Sequence, residues 1–369
     1  MKFFKLTSLV IIVNLAISSS VLAGNGPGHG NATNPPQDNA ALANDVDTSI
    51  TLNDTEETNL SFMREEEKLA RDVYLHLFDV WAANIFSNIA RAEQSHMDSV
   101  KVILDAYRLT DPAPVDRGFF TDPDLQELYN NLIIKGQISL IDALKVGALI
   151  EEVDIKDLYK SINETNNPAI IQVYTQLLNG SYKHLNAFVS QLNAQGVNYE
   201  SQILSSDEVK SILSGETFNA EIVDGLALSA DNITLQTQSR FSHTILLESG
   251  TSENNAAFSE NESIKLSSHF IPEAEDIGQK VDYFTLVNFK PENGNNVFFT
   301  REGQQWTTWN GHPENLGRAE QQTLKEVQNF NIFDGKLNNL QGTFNIYTGY
   351  ILNTGKIVFS AEPLSFMVN

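Results

Sequence analysis

The chain of 369 residues contains no cysteine, which excludes disulfides, thiolate zinc sites, iron–sulfur clusters and cysteine nucleophiles. Basic residues are also scarce, since 24 Lys and Arg stand against 47 Asp and Glu, for a formal net charge of −23. So acidic a protein is a poor partner for nucleic acid or for an anionic membrane surface. Because there are only seven histidines, any metal site must rely on carboxylates.

The first 23 residues have the pattern of a signal peptide. Lys2 and Lys5 precede an apolar stretch over 9–17, and small residues at 21–23 fit a cleavage site. The stretch is too short to span a bilayer, so we expect cleavage and export to the periplasm or the cell exterior, with no transmembrane segment left. A retained N-terminal anchor is the alternative. Residues 24–53 are rich in Gly, Asn and Pro and are predicted to form a disordered leader.

From residue 54 onward, apolar residues recur every three or four positions, which predicts a helical domain over 54–195. Four long helices and one short one are expected, at 55–79, 84–108, 122–136, 138–163 and 168–193. The first two and the last two long helices are joined by a few residues, whereas about thirty residues connect the middle pair. Two antiparallel hairpins with one long crossover are typical of a ferritin-like four-helix bundle.

Beyond the helices the sequence pattern changes. Residues 196–216 are predicted to be a linker, and residues 217–369 show the period of two that is typical of strands. About ten short strands with turn-rich gaps predict a β-sandwich. The expected fold class is therefore α+β in two separate domains. The second half faintly resembles β-rich modules of bacterial exoproteins, which implies no residue roles.

Ionisable residues on the apolar stripes of the helices form the candidate site, because their burial costs free energy unless they are paired or bind metal. In helix order they are Glu66, then Glu93 with His96, then Glu151 with Asp154, then His184. A Glu-x-x-His pair places a carboxylate and an imidazole on one helix face, and facing glutamates bridge two ions. These ligands favour one or two ions of iron or manganese. Glu65 and Glu67 are predicted to lie beside the stripe, and Glu152 to face outward.

Each candidate also has a structural interpretation. The acidic run at 64–67 fits a solvated helix face. Glu93 and His96 fit a buried hydrogen-bonded pair, and Glu151 fits a salt bridge with His184 across the bundle.

Four segments together resemble a known family. FMREEEKLARDVY (62–74), ARAEQSHMDSV (90–100), DALKVGALIEEVDI (142–155) and LLNGSYKHLNAF (177–188) are similar to the ferritin-like family called domain of unknown function 2202. The resemblance implies a four-helix fold related to rubrerythrin-type di-iron proteins. It implies the metal ligands Glu66 on the first long helix, Glu93 and His96 as the Glu-x-x-His of the second, Glu151 on the third and His184 on the fourth. Ser181 departs from the pattern, because it replaces the glutamate of a second Glu-x-x-His, and Asp154 is the carboxylate that could compensate.

The expected function is that of an exported ferritin-like protein that binds one or two iron or manganese ions. Its expected role is metal handling or oxidation by peroxide or dioxygen. Whether it is an enzyme stays open, with a di-iron-type oxidoreductase as the candidate. The alternative is a metal-free envelope or surface binding module, in which the bundle is a scaffold and the β-sandwich contacts a partner.

Overall fold

The computed structural model describes residues 42–43, 46–215, 222–247, 257–292, 294–338 and 340–369. The predicted signal peptide over 1–23 and most of the predicted leader lie outside these residues. The described chain divides into a helical unit that ends at Ser214 and a β unit that begins at Gly215. This confirms an α+β architecture in two parts. In the ranges just given, no helix combines the length and the apolar character needed to cross a membrane.

Helices of the expected lengths make up the first unit. They are α1 (Asp54–Trp81), α2 (Asn84–Ala106), α3 (Pro123–Gly136), α4 (Leu140–Asn163), α5 (Pro168–Ala194) and α6 (Ser206–Leu213). Asp122 and Asn167 each precede a proline at the first helical position, and their side chains accept hydrogen bonds from the first free N–H groups of α3 and α5. The capping side chain and the proline together determine where each helix begins. Proline suits the first position because it lacks the N–H group that would have no partner there.

The four long helices pack as two antiparallel hairpins, α1 with α2 and α4 with α5. Two contacts set the direction of α4 against α1. Glu56 near the start of α1 accepts a hydrogen bond from Thr165, just after α4 (2.6 Å), whereas the hydroxyl of Tyr74 near the end of α1 lies 3.3 Å from the carbonyl oxygen of Gly147. Because α2 and α4 both run against α1, they are parallel to each other. The connection between them, which contains α3, is therefore a long crossover.

Charged side chains of α1 hold this crossover in place. Their contacts are Arg64 with the carboxylate of Asp111 (2.9 and 3.0 Å), Glu65 with the N–H groups of Thr121 and Asp122 (2.6 and 2.9 Å), Lys68 with the carbonyl of Asp116 (2.9 Å), and Asp72 with the N–H of Gly118 (2.9 Å). All five residues of 64–68 are at most 7% exposed. The interpretation of this run as a solvated helix face is therefore wrong.

The segment that follows α5, expected to be a linker over 196–216, contains α6 and contacts α4. Its anchor is Glu152, which is fully buried. Its carboxylate accepts hydrogen bonds from the hydroxyl of Tyr199 and from three consecutive backbone N–H groups, those of residues 202–204. The prediction that Glu152 faces outward was wrong.

The β unit contains thirteen strands in its described residues, joined into one sheet. They are β1 (Val223–Leu228), β2 (Thr234–Leu235), β3 (Arg240–Leu247), β4 (Ala257–Phe258), β5 (Ser263–Ile271), β6 (Lys280–Pro291), β7 (Val297–Glu302), β8 (Gln305–Thr308), β9 (Glu320–Thr323), β10 (Gln328–Lys336), β11 (Gly342–Leu352), β12 (Ile357–Ser360) and β13 (Leu364–Val368). The main order is β10-β5-β3-β1-β12-β11-β6-β7-β8, and β4 with β13 is the one parallel pair among them.

Strand β1 links two groups of strands. Val223 and Asp224 pair with β3, whereas residues 225–228 pair with β12. The sheet also curves back on itself, because Phe270 of β5 contacts Tyr283 of β6 and Tyr350 of β11 at ring distances of 5.5 Å. An apolar core therefore lies between strands that are distant in the sheet order.

Candidate metal centre

Acidic and histidine side chains from all four long helices meet inside the helical unit. The cluster consists of Glu67 on α1, Glu93 and His96 on α2, Glu151 on α4 and His184 on α5. Glu93 and His96 share one face of α2 because three residues make almost a full turn. The carboxylates are at most 2% exposed, and the two histidine side chains are 11% and 12% exposed. Burying this many ionisable groups together costs free energy unless the groups pair with one another or bind a metal.

The cluster contains two groups of three residues that share Glu93. In the first group, Nδ1 of His96 lies 2.8 Å from Oε2 of Glu93 and 3.1 Å from Oε2 of Glu67. In the second, Nδ1 of His184 lies 2.8 Å from Oε1 of Glu93 and 3.5 Å from Oε2 of Glu151. Each group offers three ligand atoms within 4.8 Å of one another. Glu93 therefore presents one oxygen to each histidine.

Several of these atoms have no hydrogen-bond partner among the described residues. They are Oε1 of Glu67, Oε1 of Glu93, Oε2 of Glu151 and Nδ1 of His184. The second group thus brings two oxygens and a ring nitrogen close together without the alignment of a hydrogen bond. Unpaired buried polar atoms are rare in folded proteins. Atoms that bind one common ion have this arrangement, so the residues present fit a metal.

Neighbouring residues position the ligands. The hydroxyl of Tyr74, which is fully buried, donates to Oε1 of Glu151 at 2.5 Å and leaves Oε2 facing His184. On α5, Gly180 leaves space for His96, because a Cβ atom there would lie 2.4 Å from Cε1 and 2.5 Å from Nε2 of the imidazole. Both contacts fix the orientation of cluster side chains, as supporting contacts do around the ligands of a metal.

Charges within the cluster shift the pKa values in opposite directions. Burial alone would lower the pKa of His184, but the carboxylates of Glu93 and Glu151 raise it to about 10. The pKa of His96 is also raised, against its burial, by Glu67 and Glu93. Burial raises the pKa of Glu67 to about 7, whereas the two histidines hold the pKa of Glu93 well below its usual range despite its burial. At neutral pH the cluster therefore holds protons that a metal would displace.

Of the residues predicted from the sequence, Glu93, His96, Glu151 and His184 lie together in the cluster. Glu66 is also buried, but it is not among the residues whose ligand atoms meet in the cluster. Asp154 is 2% exposed, close enough for the charges of Glu66 and Glu151 to raise its pKa. Ser181 donates to the carbonyl of Leu177 (3.2 Å) and is not part of the cluster.

Glu67 lies in the cluster but was not among the residues predicted to bind metal. On a helix, consecutive residues are about 100° apart, so an apolar stripe of ordinary width admits only one of two neighbours. Since α1 packs against both α2 and α4, its buried arc includes Glu66 and Glu67 together. The signal in the sequence was the run of three glutamates itself, which stands with Arg64 and Lys68 between the apolar residues Met63 and Leu69.

Fold and site together define a class: proteins in which carboxylates and histidines converge between four long helices. A family model described as an uncharacterized protein domain, DUF2202, matches residues 56–216. Uncharacterized protein MJ0754 of Methanocaldococcus jannaschii is 50% identical over 167 residues, which are 45% of this chain and 90% of that protein. The chain belongs to the DUF2202 family. The crystal structure of hypothetical protein MJ0754 from Methanococcus jannaschii is 49% identical, with a TM-score of 0.44, and covers 45% of this chain and 95% of its own.

Proposed function

We propose that the helical unit is a ferritin-like bundle that binds two divalent ions of iron or manganese. The observation that carries the proposal is the position of Glu93, whose two oxygens face Nδ1 of His96 and Nδ1 of His184 at 2.8 Å each. One ion would be held by Glu67, Glu93 and His96, and the other by Glu93, Glu151 and His184. Glu93 would be the shared ligand.

The donor set supports iron or manganese. It consists of carboxylates and imidazoles without sulfur, which suits these metals better than copper(I). The three carboxylates would carry three negative charges in a site that is almost dry, and two divalent ions would compensate them. A salt-bridged cluster without metal explains less, because it holds Nδ1 of His184 and Oε1 of Glu93 at 2.8 Å without the alignment of a hydrogen bond.

When bound, such ions would supply one-electron oxidation and reduction, which fits metal handling or a reaction with peroxide or dioxygen. The protein residues would bind the ions, exclude bulk water and hold Glu151 through the hydroxyl of Tyr74. We therefore propose a di-iron-type oxidoreductase as the enzyme class. Export to the periplasm or cell exterior, and a β-sandwich that contacts an envelope partner, belong to the same proposal and rest on the sequence pattern.

Metal titration of the full chain tests this function. Fe²⁺ under argon, or Mn²⁺, should bind at a ratio of two ions per chain. At a free concentration of about 100 times the dissociation constant, binding should stabilise the fold by about 2.7 kcal/mol, which raises Tm by roughly 5–10 °C. His96→Ala should remove the ion that Glu67, Glu93 and His96 would hold, and should therefore reduce both the number of bound ions and this shift. A matched control is His76→Ala, because His76 is a partly exposed histidine of α1 that contacts Gln137 instead.

Two results would contradict the proposal. One is the absence of Fe²⁺ and Mn²⁺ binding at micromolar protein, and the other is an equal Tm shift in the His96→Ala and wild-type proteins. In the first case the alternative applies, namely a metal-free envelope or surface module in which the helical unit is a scaffold.

A further inference from the structure

A lysine meets two carboxyl groups in the β unit. Lys356, in the turn between β11 and β12, places its Nζ 3.2 Å from Oδ2 and 3.5 Å from Oδ1 of Asp276, and it also contacts Oε1 of Glu273. Both acidic residues lie in the connection between β5 and β6. The side chains of Asp276, Glu273 and Lys356 are 4%, 14% and 20% exposed. An amine and two carboxyl groups are therefore held together where little water reaches them.

Two buried hydroxyl groups orient Asp276. The hydroxyl of Tyr350 donates a hydrogen bond to Oδ2 of Asp276 at 2.8 Å. It also lies 3.0 Å from Oγ of Ser239, and that oxygen accepts a hydrogen bond from the backbone N–H of Glu273. Tyr350 and Ser239 are both fully buried. A fixed donor in a site with little water stabilises negative charge that develops on the oxygen it faces, which here is Oδ2.

The backbone holds the amine and the carboxyl groups in these positions. Gly355 has a φ of 84°, its N–H bonds to the carbonyl of Leu352 (2.8 Å), and the N–H of Leu352 bonds to the carbonyl of Lys356 (2.9 Å). In the other connection, the N–H of Asp276 bonds to the carbonyl of Glu273 (3.0 Å). Groups that are held in contact in this way react as if one of them were present at about 10⁵–10⁸ M.

The two carboxyl groups differ in how readily they hold a proton. Burial raises the pKa of Asp276, although Tyr350 and Lys356 both donate hydrogen bonds to it. The pKa of Glu273 is lowered despite its burial, because Lys356 bonds to it. Asp276 is therefore the carboxyl that takes up a proton first, and a protonated carboxyl is the form that condenses with an amine. Glu273 stays ionised and is free to accept and return protons.

We propose that Lys356 and Asp276 condense to an amide, which joins the connection between β5 and β6 to the turn between β11 and β12. A proton passes from Nζ through Glu273 to Asp276, and the neutral Nζ then attacks Cγ of Asp276. The Nζ–Cγ bond forms, and Tyr350 stabilises the charge that develops on Oδ2. Glu273 takes a second proton from Nζ and gives it to Oδ1, which leaves as water when the Cγ–Oδ1 bond breaks.

The atoms and charges of this step balance within the protein. An ammonium and a carboxylate give one amide and one water, with no oxidant and no further reactant. A covalent link suits a chain that contains no cysteine and so forms no disulfide. Like a disulfide, it would stabilise the β unit by restricting the unfolded chain, but reducing agents would not break it.

Peptide mapping of the full chain tests the bond. Trypsin cleaves after unmodified lysine, so an amide at Lys356 should leave residues 337–369 uncut and joined to residues 266–280. The mass of the joined peptide should be the sum of the two masses less one water, and its fragment ions identify the joined residues. Lys356→Arg keeps the positive charge but removes the amine, so it should give separate peptides without loss of water.

Glu273→Gln tests the proton transfer separately from the fold. It retains Lys356 and Asp276 but removes the proton carrier, so the linked fraction should be at least about tenfold smaller than in wild-type protein prepared alongside it. The matched control is Glu275→Gln, which removes the same charge from an exposed neighbour and should be linked as completely as the wild type.

Three results would overturn the inference. The first is a wild-type digest that contains only separate peptides after prolonged incubation at mildly alkaline pH, because Lys356 and Asp276 would then form a salt bridge and nothing more. The second is a link from Lys356 to Glu273 instead of Asp276. The third is a Glu273→Gln protein that is linked to the same extent as the wild type.

Discussion

Replacing Gly180 by alanine tests the geometry of the centre most directly. In an ordinary helix this change stabilises a protein by about 1 kcal/mol, because glycine is a poor helix former. Here the new Cβ would lie 2.4 Å from Cε1 of His96, so the imidazole must move by roughly 1 Å to reach a normal contact. Overpacking of this kind costs about 1–3 kcal/mol. The free energy of unfolding should therefore not rise, and should fall by up to about 2 kcal/mol.

The same change should weaken metal binding. If His96 is displaced, its Nδ1 no longer lies 2.8 Å from the carboxylate of Glu93 and 3.1 Å from that of Glu67. Disturbing the support of a metal ligand lowers affinity about 10- to 100-fold. Urea unfolding and Mn²⁺ titration measure the two effects.

Gly147→Ala is the control, since its Cβ would lie equally close to Phe188, at 2.4 Å, but would not touch a ligand. It should lose stability and keep most of its affinity. A Gly180→Ala protein that is more stable than wild type and binds Mn²⁺ normally would refute the packing of His96 against α5.

Three further outcomes follow from the contacts of single side chains. Mn²⁺ affinity should rise at least about tenfold per pH unit between pH 6 and 8. The pKa of His184 is raised to about 10 and the pKa of His96 is also raised, so each imidazole must lose a proton to bind its ion. A pH-independent constant in competition titrations would contradict this. Glu152→Ala should lower the free energy of unfolding by about 3 kcal/mol or more, because the four groups that donate hydrogen bonds to Glu152 lose a charged acceptor. A loss below about 1 kcal/mol in urea unfolding would show that Glu152 does not anchor the segment after α5. Tyr74→Phe should weaken Mn²⁺ binding about 10- to 100-fold, since Glu151 loses the donor that orients it; unchanged affinity would rule out a positioning role.

The helices could be predicted from the sequence because strong local signals set their bounds. Pro123 and Pro168 follow capping side chains, and the short link between Trp81 and Asn84 permits only an antiparallel hairpin. The contact between the polar segment after α5 and α4 gives no such signal. It depends on Glu152, which lies about fifty residues earlier, and a single glutamate beside an apolar stripe looks like any surface residue.

The candidate site could be predicted except on α1, where Glu66 was expected in place of Glu67, and at Asp154 on α4, which lies outside the cluster. Glu93, His96, Glu151 and His184 lie on narrow apolar stripes, which a period of 3.6 residues locates well. The run at 64–68 could not be resolved in this way, because all five residues are buried and face different neighbours. Glu65, which the sequence places beside the stripe, binds the crossover through Thr121, so replacing it would disturb the fold. The spacing of apolar residues identifies the one buried face of a helix, and it does not show which residues are buried when neighbours pack against the helix on several sides.

Ser181 bears on the kind of chemistry that the centre can support. A second Glu-x-x-His motif would place a carboxylate there and give the two ions two shared ligands. Instead its hydroxyl bonds to the carbonyl of Leu177, so Glu93 is the one shared carboxylate of the two groups. Each ion would then have three protein ligands, and three is the count at which catalytic metal sites keep a position open, whereas structural sites are closed. With a single shared ligand, the two proposed ions would also be less strongly coupled, so one could bind or leave while the other stays. A centre of this kind is better suited to exchanging ions and small ligands than to holding a permanent metal pair.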